Sequence, residues 1–417
     1  MTRWLIGIGV LLVLGCDGVG RALVGEELGG VDDDLGCQRT SCEEQPLPIS
    51  PRVPASEPLG IGFCPLQSDR TQCDLADGPR TRSGDAAVSP CGEPQLLTEG
   101  ASEALRRLDC VQLSLQRTAE EGAGVLRISD ARWRGLTLVI ESEEAFVLEL
   151  ERVVLEQVRV ALRGPVTLRL IDSAEVSELM VTTDDRAAAL EVRESRVRGL
   201  WLGSSELPFA GTFDAQRSTI ATLTASARVA SFESVLLDDV RASAERLELS
   251  DATGRRMLLA ADQIIVNVSS LSELEIERCG RLAAYQTWMT SVRIPACSDD
   301  ATRLYGGTMR RGAIEGPIVA DRASFDRTRF GVRDATELQL WDASLKNSSL
   351  CAGTGRVTLG GDTSALCVFC KEDDDSPVPV QACRHPESAP ILLKTCQELV
   401  DAPVCELAPQ RMRPPLD

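Results

Sequence analysis

The sequence predicts a mainly β protein built as a parallel β-helix, a solenoid closed by Cys-rich N- and C-terminal caps. Three observations predict it. Apolar side chains in the middle of the chain recur every five residues, a period that matches neither an α-helix nor a flat strand. The same blocks are rich in β-branched residues, and long helical patterns are few. The cysteines gather toward the two ends of the chain, where a solenoid must be closed. A β-sandwich is the alternative, in which the five-residue spacing is an accident of ordinary strands.

Residues 1–15 read as an export signal. Arg3 supplies a positive charge, Trp4 to Leu14 are almost all apolar, and Val13-Leu14-Gly15-Cys16 closes the run. The apolar stretch falls short of the roughly 20 residues a membrane span needs. The segment resembles the signal of bacterial lipoproteins, with an aliphatic residue at minus three and Gly at minus one before a Cys. The resemblance implies that Cys16 becomes the lipid-modified N-terminus of the mature protein. Residues 16–60 then read as a tether. Gly is frequent, acids cluster at Asp32-Asp33-Asp34, and Pro46, Pro48, Pro51, Pro54 and Pro58 follow. Such a stretch has little to bury, and Pro blocks regular hydrogen bonding. The Asp triplet lacks the alternating spacing of a calcium loop.

Residues 61–115 form the predicted N-terminal cap, turn-rich and Cys-rich as far as about residue 97. Ser102 is placed to cap a short helix running to Leu108. Val111-Gln112-Leu113-Ser114-Leu115 alternates like a strand.

Residues 116–350 carry the period. Val166, Ile171, Val176 and Val181 are five apart, as are Val192, Val197, Leu202 and Leu207. Ile220, Ala225, Ala230, Val235 and Val240 form another block, and Val266, Leu271 and Ile276 a shorter one. The clearest is Phe325, Phe330, Ala335, Leu340, Leu345 and Leu350. A chain that turns a corner every five residues and sends one apolar side chain inward each time produces this pattern. Four such sides make a coil of about 20 residues, and stacked coils bury a continuous inner ladder. From 146 to 350 this predicts roughly ten coils and a rod of about 50 Å. The frame slips between blocks: Val181 to Val192 is eleven residues.

A small residue sits two before the central apolar one in several repeats. Ala323 precedes Phe325, Thr328 precedes Phe330, Ala343 precedes Leu345, and Ser348 precedes Leu350. Ser195 before Val197 and Ser218 before Ile220 agree, whereas Leu179, Leu200 and Arg228 depart from the pattern. The stretch from about 320 to 350 thus resembles the pentapeptide-repeat family. That resemblance implies a right-handed, four-sided β-helix. The rest of the repeat reads as a degenerate parallel β-helix, three-sided with longer coils as the other form.

Residues 351–417 are expected to end the pattern in a Cys-rich cap and tail. Gly-rich turns, an acidic run from Glu372 to Asp375, a short helix from Ile391 to Val400 and a Pro-rich end are read there.

The chain holds 15 Cys, so setting Cys16 aside for lipid leaves an even fourteen. In an exported chain that reads as a disulfide framework. Neighbour pairing predicts Cys37 with Cys42, Cys64 with Cys73, Cys91 with Cys110, and Cys279 with Cys297. Toward the C-terminus it predicts Cys351 with Cys367, Cys370 with Cys383, and Cys396 with Cys405. Spacing alone leaves other connectivities open.

Charge and composition exclude several functions. A net charge of −19 opposes phosphate-mediated nucleic-acid binding, which needs basic patches, and adhesion to anionic lipid by a polybasic surface. Acidic pentapeptide-repeat rods that mimic DNA act on cytoplasmic targets, which an export signal contradicts. His385 is the only histidine and lies in a Pro-flanked tail, so a Ser-His-Asp triad has a single, poorly placed base. Cys367, Cys370, Cys383 and His385 offer four zinc ligands, but paired cysteines in an exported chain favour disulfides, and no metal is expected. Cys367-Val368-Phe369-Cys370 lacks the βαβ context of a redox motif. Glycoside hydrolysis needs two carboxylates across a cleft; Asp184-Asp185, Asp238-Asp239 and Asp299-Asp300 are candidates. Adjacent strand residues point to opposite faces, which weakens each doublet. Aromatic content is 4%, leaving few sugar platforms, and Trp133, Trp201, Trp288 and Trp341 read as wall or core. The expected function is therefore a lipid-anchored envelope protein with a structural or binding role, no cofactor, and a protein or glycan partner. A carbohydrate-active β-helix enzyme is the alternative.

Overall fold

The structure, a computed structural model, describes residues 124–172, 175–203, 209–332, 337–352, 356–361 and 363–366. It also describes short strands at Val31–Asp32, Cys37–Gln38, Gln95–Leu96, Gln112–Arg117, Val368–Cys370, Val380–Ala382 and Leu393–Lys394. Every regular element among the described residues is a strand. Val31–Asp32 and Cys37–Gln38 form a small antiparallel pair. All other pairings are parallel and belong to one 30-stranded sheet, wound into a β-solenoid of about 11 turns. Stacked coils of a single chain account for parallel pairing at short sequence separation; the β-sandwich alternative, built on antiparallel pairs, does not.

Each coil contributes three short strands, so the molecule carries three parallel ladders. Ile318–Asp321, Ser324–Asp326 and Arg329–Val332 are the three strands of one coil. They pair respectively with Glu337–Trp341, Ser344–Lys346 and Ser349–Ala352 of the next. Coil length varies along the axis. Ala189 pairs with Thr212, 23 residues on, whereas Leu236 pairs with Thr253, 17 residues on. These unequal coils are the physical source of the frame slips in the sequence.

Most of the first two corners of each coil share one backbone conformation. Between the first and second ladders sit Asp130, Arg152, Asp172, Glu194, Arg217, Ser234, Asp251, Val268 and Gln286, all with φ between 44 and 58°. Gln157, Glu178, Asp239, Arg256, Glu273, Ser291, Arg311, Arg327 and Asn347 mark the second corner in the same left-handed region. One such residue turns the chain by a sharp angle while keeping its amide within reach of the neighbouring coil. The N–H groups of Ser234, Asp251 and Val268 donate to the carbonyls of Ser250, Asn267 and Tyr285 at 2.9, 3.0 and 2.8 Å.

The residue after a corner points inward, and here small side chains have a specific task. Ser195, Ser218, Ser269, Thr287, Thr328 and Ser348 are buried. Ser269 Oγ donates to the Asn267 carbonyl two residues back at 2.7 Å and accepts from the Ala252 N–H of the adjacent coil at 3.1 Å. Ser218 Oγ receives the Ser195 N–H at 3.1 Å in the same way, and Ser348 Oγ receives the Thr328 N–H at 3.2 Å. Buried backbone donors need partners, and the corner hydroxyl supplies one where no carbonyl is in line.

The core runs the length of the described coils. The five-spaced residues Ile220, Ala225, Ala230, Val235 and Val240 are all buried, as are Val266, Leu271 and Ile276, and Phe325, Phe330, Leu340, Leu345 and Leu350. Leu207 and Ala335 lie outside the described residues. Ile171 departs from the expectation. It is half-buried and faces outward, because Val166, Leu168 and Leu170 of its strand take the inner face. Bulk is balanced between coils: Phe213 pairs beside Ala230, and Ala215 beside Phe232. The two rings meet edge to face with centroids 5.5 Å apart, a favourable geometry for aromatic pairs.

The ladders extend beyond the limits read from the sequence. Arg356–Gly360, Ser364–Leu366, Val368–Cys370 and Val380–Ala382 continue the parallel register past residue 350. Leu393–Lys394, placed in the expected helix from 391 to 400, is instead a strand beside Val368–Phe369. Pairing to an open coil edge outweighs local helical preference there. Gln112–Arg117 is a strand as expected, paired with Thr137–Ser142, and the helix expected at 102–108 lies outside the described residues.

Replacing Ser269 with Ala should strip the Ala252 N–H of its acceptor while leaving the shape of the corner unchanged. The expected cost is about 1–3 kcal/mol, read as a lower urea midpoint with an unchanged slope. An unshifted midpoint would mean that the hydroxyl is not the partner of that amide.

Candidate functional site

With the interior filled by apolar side chains, chemistry that reaches solvent must lie on the outer wall. The first ladder there carries an alternating charge column. Arg127, Glu149, Arg169 and Glu191 stack in successive coils. Glu149 bonds Arg127 and lies 3.3 Å from Arg169, which binds Glu191 at 2.7 Å. Glu149 is 4% exposed and lies enclosed between these two guanidiniums. Asp214 continues the column beyond Glu191. Burial, and then the repulsion of Glu191, push its carboxyl above the usual range, although Gln216 Nε2 donates to it at 2.9 Å.

Most carboxylates of the acidic doublets are occupied in building corners and loops, whereas Asp184 is exposed. Asp238 and Asp239 both hold Arg256. Asp185 accepts from the Ala187 N–H at 2.7 Å, closing a turn. Asp300 accepts from the Ala301 N–H and from Arg303, both at 2.8 Å, and Ser298 Oγ donates to Asp299. An open hollow of about 340 Å³ is lined by Glu245, Arg246, Asp262, Gln263, Arg281 and Asp299. Its carboxylates are also engaged: Asp262 with Arg278, and Glu245 with Arg186 at 3.2 Å. Among the described residues no cluster of three or more His, Cys, Asp or Glu could hold a metal ion.

Cys279 and Cys297, buried in adjoining coils, are joined by a disulfide across 18 residues. Closing a loop of that length contributes roughly 3 kcal/mol in the chain-entropy description. Cys37, Cys351 and Cys370 lie in described strands, but their side chains are outside the description. Cys16, Cys42, Cys64, Cys73, Cys91, Cys110, Cys367, Cys383, Cys396, Cys405 and His385 lie outside the described residues altogether.

The tryptophans separate into core and wall. Trp133 is 2% exposed and points inward. Trp201 is buried, and its ring passes within 2.7 Å of where a Cβ on Gly199 would stand. Trp341 is half-buried over Gly360, which has room for the ring only because it lacks a side chain. Trp288 is on the wall but is not packed into it: it is 52% exposed. Gln286-Thr287-Trp288-Met289-Thr290 contains the signal, since the buried Thr287 and Met289 force Trp288 outward. Two of the other large exposed apolar residues, Val268 and Leu236, lie on the same side of the molecule, at the first corner and on the second ladder. The chain's two tyrosines, Tyr285 and Tyr305, stack at 5.0 Å just across that corner.

Comparison of the chain with protein-family models, with curated proteins and with solved structures finds no match.

Replacing Asp214 with Asn tests the electrostatics of the charge column. A carboxyl whose folded pKa is raised makes its most favourable contribution to stability below its unfolded pKa of about 3.9. Stability is lost as pH climbs through the raised folded value. Asp214→Asn should therefore gain stability relative to the native chain between pH 3 and pH 7, measured by thermal melting. A difference that does not change over that range would contradict the desolvation assigned to Asp214.

Proposed function

We propose that the protein is a bacterial lipoprotein, attached to the envelope through lipid on Cys16, that displays its β-helix as a structural or binding rod. Its membrane contact is the N-terminal lipid, on the periplasmic face or the cell surface. Its partner is a protein or a glycan, and nucleic acid is not one. The observation that carries the attachment is Val13-Leu14-Gly15-Cys16 at the end of an apolar run opened by Arg3. The even number of cysteines left when Cys16 is set aside supports it.

The geometry of the wall favours binding over catalysis. A glycosidase needs one carboxyl to protonate and another to attack or to activate water. In Asp238-Asp239 and Asp299-Asp300, as in Asp262 and Glu245 of the open hollow, carboxylates are spent on arginines or on nearby hydroxyl and backbone groups. A solenoid offers instead a long, regular surface. The disulfide at Cys279 and Cys297 suits a chain folded in an oxidising compartment.

Cys16→Ser should abolish incorporation of a fatty-acid probe and release the protein from the membrane fraction. Labelling that persists in the variant would refute the anchor.

A further inference from the structure

We propose that the outer face centred on Trp288 is a binding site for an uncharged glycan chain. The proposal deepens the reading of the wall as a binding surface and does not depend on the lipid anchor.

Trp288 exposes half of its surface in a chain with 4% aromatic residues, where the other described tryptophans are packed. Its backbone N–H donates to the Ser269 carbonyl at 2.8 Å, which sets it beside Ser270; on the other side it pairs with Thr308. Thr290, two residues along, faces the same way and is exposed. The indole therefore stands among neutral hydroxyls one coil apart on either side. Coils are separated by about 4.8 Å, a spacing comparable to the length of one sugar ring.

Val268 adds an independent observation. It sits at the corner next to this coil with φ 47° and is 49% exposed. A β-branched residue in the left-handed region is a true outlier. Glycine or asparagine would adopt this conformation more readily, and about half of the Val268 surface is open to solvent. Val268 presents a branched apolar group to the same face as Trp288, with Leu236 exposed two coils away.

The chemistry of the face selects its occupant. Arg310, beside Thr290 in the ladder, is held by Asp326, and Arg255 by Glu273. The column of Ser270, Trp288 and Thr308 itself carries no charge for an ionic partner to pair with. A flat apolar protein surface would bury the Ser and Thr hydroxyls without partners, which is costly. A neutral sugar matches both features. Its C–H face stacks on the indole and on Val268, and its hydroxyls exchange hydrogen bonds with Ser270, Thr290 and Thr308.

The test is affinity electrophoresis of the full chain through gels containing a soluble glucan, mannan or xylan, with alginate and heparin as polyanionic controls. At least one neutral polysaccharide should retard the native protein. Trp288→Ala should weaken that retardation at least about tenfold while the protein still melts in a single cooperative transition, since about half of the side chain is exposed. Trp288→Tyr should retain most of it, and Thr308→Val should weaken it with the indole intact. The proposal is overturned if no neutral polysaccharide retards the protein, if only polyanions do, or if Trp288→Ala binds like the native chain. Self-association that requires Trp288 in the absence of glycan would assign the face to a second copy and overturn it equally. Fatty-acid labelling at Cys16 is unaffected by any of these outcomes, so failure here leaves the anchor untouched.

Discussion

Parallel hydrogen bonding between successive coils is the constraint on which the other features depend. Pairing Leu236 with Thr253 and Thr253 with Ser270 places each side chain above its counterpart one coil away. Inward positions then stack on inward positions, and a slip of one residue would exchange core for solvent along a whole ladder. Phe213 beside Ala230 and Ala215 beside Phe232 show how closely volume must be balanced between neighbouring coils. The corner hydroxyls serve the same register from inside, since Ser269 meets the Ala252 N–H only when the coils are aligned.

The outer wall inherits that register, with consequences for charge. Like charges repeated at coil spacing would repel, and Arg127, Glu149, Arg169 and Glu191 alternate instead. Beyond Glu191 the alternation fails at Asp214, whose carboxyl is pushed upward by burial first and by the repulsion of Glu191 second. On the second ladder the charges give way to Ser270, Trp288 and Thr308. Neutral side chains at coil spacing make a surface that is periodic without being repulsive, and this is the part of the wall best suited to a neutral partner.

The five-residue period was legible because most first and second corners use one left-handed residue and then send a side chain inward. Ile220 to Val240 and Phe325 to Leu350 are core for that reason. The small residue before the central Leu or Phe was legible as a pattern, but its task as an acceptor for the neighbouring coil appears only when Ser348 is seen against the Thr328 N–H. Ile171 was misread because Leu168 and Leu170 compete for the same inner face with the period of a strand. The number of strands per coil was not legible, since coil length varies, 17 residues in one coil and 23 in another, and shifts the frame of the period. Aromatic type alone does not separate Trp288 from the packed tryptophans; its polar neighbours at positions 286 and 290 do.

Hydrogen exchange at residue resolution tests the stacked-coil account most directly. The amides of Ser234, Asp251 and Val268 lie at corners, where an ordinary turn would leave them open to solvent. Here they bond to the next coil, and they should exchange as slowly as the strand amides of Leu236–Ser250 and Thr253–Asn267 that flank them. Corner amides exchanging at the rate of free loops, with protection confined to the strands between them, would contradict the solenoid.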